Sequence, residues 1–531
     1  MDRRNLSKVL LGSVAGSTLL SQRAQAQTCT PPCFPLTSQE SSTEITPVDY
    51  SYPPADLRRF GGVGNGTTAC AAALQNASTV SAAGGGNVII EGGSYRIESN
   101  TVIAAGVTLE FRQGGLLTVD SGVQLSINGS VVAPPGAKIF AGSGVVKLGT
   151  AKGAVPTVYP EWFGAVGNGV VDCTSAIQKC VSSLNWGGIV QFAAGVYLTS
   201  GITALANTAL RGVGKEQSLI KSIAAQPLVH LSNGGGIVPA GGFTVRDLTL
   251  DGNGYGTIGL QVDNYGNFSV QDCAIYGFSS RGVYFHGVVT STIYRCRILN
   301  CPIGFEGDTS SSTLNAVALR DCAIGGCTNW GVKVTQGSLF SISGGAIEAC
   351  GTSGISSTGG VLLDDMDRDA LGIAATLDGV WMEDNNGHSA IRINAPHVNY
   401  SIFDIKSVQV FGGSRSYGIY VDGSGNYSSV ALVYCTLKSA ATQDLFIGTR
   451  AVGTVDHAQA GSASISAPDV VRLNHPINGR YQFPGLALLS GGQLIFESLP
   501  GNHANDADAA TGGIPIGGVY RNGGVLRVRV S

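Results

Sequence analysis

The residues with the greatest capacity for chemistry lie in one acidic part of the second half of the chain. Residues 364–369 have the sequence Asp-Asp-Met-Asp-Arg-Asp, and a Trp-Met-Glu-Asp segment follows at 381–384. Two carboxylates roughly 5 to 9.5 Å apart can hydrolyse a glycosidic bond, one as acid and the other as base or nucleophile. A base with charge-neutralising partners can instead carry out an elimination. The predicted catalytic residues are the carboxylates Asp365, Asp367, Glu383, Asp384 and Glu348.

Two neighbouring residues could hold a substrate while these carboxylates act on it. Trp381 could stack its ring on a sugar, and Arg368 places a cation among the acids. The structural alternative is that the acidic loop is only solvated and the Trp-x-Glu corner only packs. The seven His are scattered, and His286 and His388 have no partner that the sequence identifies. Because neither a zinc spacing nor an Asp-rich calcium pattern occurs, no metal and no cofactor is predicted.

A repeated phrase indicates which elements position these residues. It alternates apolar residues around a polar or Gly residue at a bend, and it occurs at 245–250, 270–275, 293–298, 319–324 and 342–347. From Leu248 to Gly345 the successive copies are 25, 23, 26 and 23 residues apart. This period is typical of a solenoid, in which each copy is a strand corner and neighbouring coils pair in parallel. Looser copies predict that the coils continue to about residue 445.

The acidic part coincides with an irregularity in this period. The step from Gly345 to Gly379 is 34 residues, which is longer than every other step of the repeat. We therefore expect the acidic run to lie on an insertion that protrudes beside Glu348 and the corner at Trp381.

Cysteines recur in a second register of the same repeat. Cys301, Cys327 and Cys350 each fall five residues after Cys296, Cys322 and Gly345. This spacing predicts columns of small inward side chains stacked on one another. Packing is favoured over disulfide bonds, because free Cys behaves as a small buried hydrophobe and stacked neighbours must also meet strict bridge geometry.

Composition restricts the fold and the partners of the chain. With 77 Gly and only 13% charged residues in 531, the chain is suited to many tight turns between short strands, which predicts an all-β protein. A formal net charge of -3 without a basic cluster argues against nucleic acid as a partner. No run of 18 apolar residues occurs, so no membrane span is predicted.

The N-terminal residues have the form of an export signal. Residues 1–26 contain paired Arg, a modest apolar run and Ala-Gln-Ala, as in a twin-arginine signal; the alternative is an uncleaved amphipathic N-terminus. Outside the cell, Cys29 and Cys33 would close a small disulfide loop, with metal binding as the weaker alternative. Residues 27–54 are interpreted as a linker or arm.

Two matching passages predict that a solenoid begins twice. Residues 59–75 and 162–178 share Phe-Gly and Gly-Asn-Gly, and each leads into a Gly-Gly strand that ends in Tyr. Gly-Asn-Gly supplies a turn with positive φ, and Asp172 can cap the helix that follows. That helix carries an apolar stripe, which could cover the open end of the coils; the stripe contains Ala176, Ile177 and Cys180.

These motifs resemble those of a known family. Residues 163–169 with Asp172, Thr174 and Gln178 are similar to the opening motif of the pectate-lyase-like right-handed parallel β-helix family, shared by exported polysaccharide-degrading enzymes and phage tailspikes. The family usually has a second Asp where this chain has Cys173, and the first copy has Ala69 in place of Asp172. The resemblance covers roughly residues 55–445.

Two further segments resemble phage proteins. Residues 117–163 are similar to a segment of phage tail and prophage β-helix proteins, and residues 505–530 resemble the C-terminal segment of tail-fibre and other virion structural proteins. Asn522 and Gly523 between two alternating runs predict a hairpin whose apolar face is a candidate for self-association.

The resulting expectation is an all-β, right-handed parallel β-helix with short capping helices. Its segments are an N-terminal β-module at 55–157, the main helix at 158–445, an irregular cap at 446–490 and a C-terminal assembly segment at 491–531. The first functional hypothesis is a homotrimeric, tailspike-like virion protein, attached to tail or baseplate proteins, that binds and can depolymerise a host capsule or lipopolysaccharide. The alternatives are an exported bacterial polysaccharide lyase or glycoside hydrolase, and a non-catalytic structural β-helix.

Overall fold

The fold is a stack of short parallel strands, in keeping with the repeat in the sequence. The computed structural model describes residues 33–149, 154–308, 314–366, 372–394, 401–422, 428–448, 451–456, 458–460, 462–465, 469–473, 487–489, 493–495, 503–512, 519–522 and 525–528. Neighbouring strands of its large sheets pair in parallel, one coil on the next.

Three large sheets form the main body, and each coil contributes a strand to each sheet. The first sheet contains Thr157–Val158, Gly188–Gln191, Thr208–Arg211, Thr244–Arg246, Ser269–Gln271, Val289–Tyr294, Leu314–Arg320, Phe340–Ser343, Gly372–Asp378, Ser401–Lys406, Ser428–Val433, Ala451–Asp456 and Asp469–Leu473, with Val238–Pro239, Tyr265–Gly266 and Gly337–Ser338 beside them. The second contains Asn168–Asp172, Gly195–Thr199, Ser218–Ser222, Thr249–Asp251, Ala274–Tyr276, Arg297–Leu299, Ala323–Gly325, Ala346–Glu348, Trp381–Glu383, Gln409–Phe411, Thr436–Leu437 and Gln459–Ala460. The third contains Ile202–Thr203, Val229–Ser232, Ile258–Asp263, Arg281–His286, Ile303–Asp308, Trp330–Thr335, Gly359–Asp364, Gly387–Asn394, Arg415–Val421, Gln443–Ile447 and Ala463–Ile465.

Strand register explains why the phrase repeats. Along the second sheet, five successive strands place apolar residues directly above one another, and all five side chains are buried: Leu250, Ile275, Ile298, Ile324 and Ile347. Side chains alternate between the two faces of a strand, so the residues on either side of this column point outward. The parallel β-helix predicted from the sequence is therefore confirmed, and its core is a set of stacked apolar columns.

The polar residue in each phrase occupies a corner between the first and second sheets. Asp247, Asp272, Arg295, Asp321 and Gly344 all have positive φ, between 51° and 62°. This left-handed conformation turns the chain sharply, and it is uncommon for residues other than Gly, Asn and Asp.

The cysteine columns pack without bridging. The cysteines of the repeat are free and buried, namely Cys273, Cys296, Cys301, Cys322, Cys327, Cys350 and Cys435. This agrees with the packing interpretation. Burial raises the pKa of the Cys301 and Cys435 thiols to about 11, so both remain protonated in the core.

The chain begins a coil stack twice, as the matching passages predict. In both copies a 3-10 helix (Leu57–Phe60, Pro160–Phe163) precedes a strand and then a helix, α2 (Ala71–Gly84) or α3 (Thr174–Ser183). Gly66 and Gly169 have φ of 77° and 73°. Asp172 accepts the backbone N–H of Thr174 at 2.8 Å, which satisfies one free donor at the start of α3.

The N-terminal stack is smaller than the main one. Its strands form three sheets, which are Asn65–Ala69, Gly93–Ile97, Gly115–Val119 and Phe140–Gly142; Asn87–Ile90, Thr108–Phe111 and Ser130–Val132; and Thr101–Ile103, Gln124–Ile127 and Val145–Leu148. It meets the main body through backbone pairing of Leu148 with Leu184 and of Ile139 with Trp162.

Residues 33–54, part of the predicted arm, fold onto this stack. They include the short helix α1 (Ser38–Ser42), whose Glu40 pairs with Arg59 at 2.6 Å, and both side chains are buried. Arg59 also donates to the carbonyls of Pro35 and Tyr52, each at 2.9 Å. Cys33 is disulfide-bonded, and its predicted partner Cys29 lies outside the described residues together with the predicted signal.

The three sheets extend past the predicted end near residue 445, since Ala451–Asp456, Gln459–Ala460, Ala463–Ile465 and Asp469–Leu473 continue them. Two antiparallel strand pairs lie beyond them: Ala487–Leu489 pairs with Gln493–Ile495, and Val519–Asn522 pairs with Val525–Val528. The helix α4 (Asp506–Thr511) lies between the two pairs in the sequence. The last pair forms the expected C-terminal hairpin. Within the described ranges, no helix is long and apolar enough to cross a membrane.

Candidate functional site

The structure brings three of the predicted site residues together on the second sheet. Glu348 and Glu383 are register neighbours, and both side chains are exposed. Trp381, with 40% of its surface exposed, donates from Nε1 to Glu383 at 3.0 Å, and its ring lies 5.1 Å from that of Phe411. The arrangement is a pair of adjacent carboxylates beside an exposed aromatic surface.

The corner after these residues has a structural role of its own. Asp384 is exposed and has a φ of 52°. The next residue, Asn385, is fully buried, accepts the N–H of Cys350 at 3.1 Å and donates to the carbonyl of Ile347 at 2.8 Å. The Trp-Met-Glu-Asp-Asn corner therefore ties two coils together, which is the packing function that the sequence left as an alternative.

The remaining predicted residues lie elsewhere or outside the described residues. Asp365 follows the strand Gly359–Asp364 of the third sheet, is 9% exposed and accepts from Gln336 at 3.1 Å. It therefore belongs to a different sheet from Glu348 and Glu383. Asp367 and Arg368 fall in the gap at 367–371.

A second cluster, which the sequence did not identify, lies on the outer face of the third sheet. Outward residues of successive strands form two adjacent columns there. One column contains His230, Gln261, Tyr284, Glu306 and Lys333, and the other contains Ser232, Asp263, His286 and Asp308. Neighbours within a column are separated by one strand spacing, about 4.8 Å.

Asp308 is at the centre of the strongest interactions in this cluster. Its carboxylate lies 2.7 Å from Nδ1 of His286 and accepts the hydroxyl of Tyr284 at 3.0 Å. A carboxylate on Nδ1 holds the imidazole in the tautomer whose Nε2 carries the lone pair, and it stabilises the imidazolium that forms when Nε2 takes a proton. Burial, and secondly Asp308, raises the pKa of Tyr284 well above its ordinary value, so this hydroxyl stays protonated.

Two cations converge on one carboxylate in the adjacent column. Glu306 is 2% exposed, receives a hydrogen bond from Nε of Arg281 and lies 2.7 Å from Nζ of Lys333. The guanidinium of Arg281 also lies 4.7 Å from the centre of the Tyr284 ring. These three charges sum to one positive charge, which the neighbouring carboxylate of Asp308 offsets, so Arg281 and Lys333 can act on a developing anion as local cationic donors and not through a net positive charge of the cluster.

A third pair closes the cluster at its N-terminal edge. His230 lies 2.6 Å from Asp263, and Gln261 donates to the same carboxylate at 3.0 Å. Burial raises the pKa of Asp263, but hydrogen bonds from His230 and Gln261 outweigh burial, so its pKa lies below the ordinary value. No group of three His, Cys, Asp or Glu side chains within the described ranges is arranged to hold a metal ion.

The comparisons with known proteins concern the fold. The sheets and the stacked outer face define a right-handed parallel β-helix protein, and residues 229–366 match the family model of the right handed beta helix region. This stretch contains all the residues of the two outward columns on the third sheet, together with Arg281, and we call them the His286 cluster. No curated protein matches the chain.

Several solved structures are similar in fold. The tailspike protein of Acinetobacter baumannii bacteriophage Fri1, described as a capsular polysaccharide depolymerase, is 11% identical, with 70% of this chain and 70% of that chain covered and a TM-score of 0.40. The A-module of a mannuronan C-5 epimerase from Azotobacter vinelandii is 18% identical, with coverages of 61% and 97% and a TM-score of 0.41. A protein of Geobacillus virus E2 is 15% identical, with coverages of 70% and 68% and a TM-score of 0.37.

Proposed function

We propose that this chain is an extracellular polysaccharide-active protein that cleaves its polymer by elimination at the His286 cluster. The observation that supports this proposal most directly is that His286 and Tyr284 both contact one carboxylate, Asp308, beside the cations Arg281 and Lys333. Elimination next to a sugar carboxylate needs a base, an acid and a positive charge to stabilise the anion that develops. These are the groups that the cluster supplies.

Each residue has a stated role in the reaction. Nε2 of His286 removes the proton from the carbon next to the sugar carboxylate, and the electron pair of that C–H bond forms a carbon–carbon double bond. The C–O bond to the neighbouring sugar breaks as this happens, and Tyr284 protonates the departing oxygen. Arg281 and Lys333 stabilise the carboxylate while negative charge accumulates on it. The products are an unsaturated sugar at one new end and an intact sugar at the other.

The test is a screen of acidic capsular polysaccharides and lipopolysaccharides for unsaturated products, followed by His286→Gln. Loss of general base catalysis lowers kcat by about 10²- to 10⁴-fold. His230→Gln is the matched control, because His230 also contacts an Asp on the same sheet, through Nε2 where His286 uses Nδ1, and has no role in the proposed reaction. Equal losses in both variants, or no loss in His286→Gln, would remove the assignment.

A second candidate function rests on the second sheet. Glu348 and Glu383 lie one strand spacing apart, about 4.8 Å between Cα atoms, which suits the short carboxylate separation of a retaining glycoside hydrolase. Trp381 would then stack on the sugar. New reducing ends without unsaturated products, together with inactivity of Glu383→Gln and full activity of His286→Gln, would favour this site over the His286 cluster.

The biological setting is part of the proposal. We place the protein either on a phage tail as a tailspike-like trimer bound to the baseplate, or outside a bacterium after export through residues 1–26. A native N-terminus at Gln27 supports export, and an intact Met1 supports a virion component. Light scattering tests the trimer, since a monomer has a mass of 54.3 kDa.

A further inference from the structure

The third sheet carries a group of rings on the coils that follow the His286 cluster. This aromatic platform consists of His388, Tyr417, Tyr420 and Phe446. The rings of Tyr420 and Phe446 are stacked with centroids 4.8 Å apart and an angle of 8°, and His388 meets Tyr420 edge-on at 4.7 Å. All four side chains are half-buried, so part of each ring reaches the surface while the rest is fixed by packing.

Register places the platform on the same column as the proposed reaction site. From Tyr284 the column continues through Glu306, Lys333, Leu362 and Arg392, and then through Tyr420 and Phe446. Arg392 is four strand spacings from Tyr284, and Tyr420 is five, so their separations are about 19 and 24 Å. A single sugar cannot reach both places, whereas a polymer lying along the helix axis can.

Arg392 differs from the cations of the His286 cluster in how it is partnered. It donates from Nε to the side chain of Asn394 at 2.9 Å and from one terminal nitrogen to the carbonyl of Ser356 at 3.3 Å. Its guanidinium lies 5.8 Å from the centre of the Tyr420 ring. Unlike Arg281 and Lys333, it has no carboxylate within ion-pair distance in the described part of the chain.

Among the described residues Arg392 makes no ion pair, although Asp364 is the register partner of Asn394, and a guanidinium so placed beside stacked rings is suited to an acidic sugar. Arg recognises a carboxylate through paired N–H donors, and a flat ring contacts the apolar face of a sugar. Asp422 acts on His388 and Tyr420 electrostatically and offsets part of the positive charge of this region, which leaves the guanidinium of Arg392 as the group that can bind a carboxylate. A carboxylate is therefore favoured at Arg392, and a sugar face is favoured at Tyr420.

We propose that Arg392 and the aromatic platform form a remote subsite for an acidic polysaccharide, in which Arg392 binds a sugar carboxylate and Tyr420 and Phe446 bind the ring. The inference rests on the proposed function, because it names the polymer class and extends the same face. It implies that the protein engages long acidic chains away from their ends, with the reacting bond at His286 and another acidic sugar about 19 Å away.

The test compares acidic polymers with their carboxyl-reduced forms. Wild-type protein should bind the acidic form of a polyuronate or acidic capsule and lose binding when the carboxyls are reduced. Arg392→Gln should weaken binding of the acidic polymer by about 10- to 100-fold, as for a lost charge-assisted hydrogen bond. Arg392→Lys should restore part of the affinity. Arg320→Gln is the matched control, because Arg320 is an exposed Arg on the first sheet.

Kinetics separate a binding role from a structural one. Arg392→Gln should raise KM for the polymer without lowering kcat, and it should leave cleavage of short oligomers unchanged, because these cannot span the face. Equal binding of acidic and reduced polymers, an equal loss in Arg320→Gln, or an equal loss on short oligomers overturns the subsite. Cleavage that is unaffected by Arg392→Gln removes the subsite and leaves the proposed function intact. If binding depends on Arg392 but no polymer is cleaved, the subsite stands and the proposed function is removed.

Discussion

We expect Asp308→Asn to remove most of the activity while preserving the fold. Asp308 accepts from the hydroxyl of Tyr284 and contacts Nδ1 of His286, at 3.0 and 2.7 Å. An amide of the same shape can donate a hydrogen to Nδ1, which leaves the imidazole proton on Nε2, the nitrogen that must act as base. The same change removes the negative charge that stabilises the imidazolium.

The magnitude follows from these two losses. Removing general base catalysis costs about 10²- to 10⁴-fold in kcat, which corresponds to roughly 3 to 5 kcal/mol of barrier. The pKa of Tyr284 should also fall, because Asp308 is its second largest cause of elevation after burial. A lower pKa means that Tyr284 loses its proton at a lower pH, so the alkaline side of the pH–rate profile should move toward neutrality.

The assay is the initial rate of unsaturated product formation across pH, with thermal unfolding as a check on folding. Asp364→Asn is the control, since Asp364 ends the third-sheet strand Gly359–Asp364, two strands along the sheet from the strand Ile303–Asp308 that Asp308 ends. A fully active Asp308→Asn beside an inactive His286→Gln would show that Asp308 does not orient the base. An equal loss in the Asp364 control would show that the sheet face as a whole, and not Asp308, carries the effect.

Three further outcomes are expected. Glu40→Gln breaks the buried pair with Arg59 and should lower the free energy of unfolding by roughly 3 to 5 kcal/mol in denaturant titrations, and an unchanged denaturation midpoint would contradict this. Burial raises the pKa of Glu40, but hydrogen bonds, above all from Arg59, outweigh burial and hold the pKa below its ordinary value. The stabilisation by this pair should therefore be lost as the pH falls into the acid range. Burial, and secondly Arg392, lowers the pKa of His388 to about 4. As the pH falls, the unfolded chain takes up the His388 proton before the folded chain does, so the free energy of unfolding should fall between about pH 6.5 and 4. His388→Phe should reduce the slope of the free energy of unfolding against pH by up to about 1.4 kcal/mol per pH unit, and an identical slope would exclude His388 as its origin. The buried thiols, Cys301 and Cys435 among them, should react with a thiol reagent only on unfolding, whereas rapid reaction of native protein would contradict the packed columns.

The architecture could be predicted because it is periodic and local. The steps of 23 to 26 residues fix the coil length, and the alternation within each phrase fixes which residues point inward. The same arithmetic would have located the His286 cluster: Tyr284 and His286 are two residues apart on one strand, and Glu306 and Asp308 each follow 22 residues later. Considered only for apolar residues and Cys, the period gives His286 no partner; extended to charged residues, it pairs His286 with Asp308.

The misplacement of Asp365 has a different physical cause. The long step from Gly345 to Gly379 was interpreted as one insertion beside Glu348 and Trp381. In the structure ten residues separate Glu348 from Gly359, whereas four separate Gly325 from Trp330 in the preceding coil, so the largest part of the extra length lies before the third-sheet strand Gly359–Asp364. The acidic run therefore follows the third sheet, and the chain reaches Trp381 after a strand of the first sheet, as in the preceding coils. A step length reports how many residues a coil contains, but not which of its sides receives the extra ones.

Stacking in register also imposes a rule on the outer face. Inside, identical apolar residues can lie above one another at no electrostatic cost, whereas outside, like charges one strand spacing apart repel. The third sheet avoids this repulsion by alternation, because His286 lies between Asp263 and Asp308, and Glu306 lies next to Lys333. Alternation brings acids, bases and cations into contact, which is also the requirement for acid–base chemistry. The contacts that avoid repulsion on this face are therefore the contacts on which the proposed reaction depends, because the period places unlike charges together there.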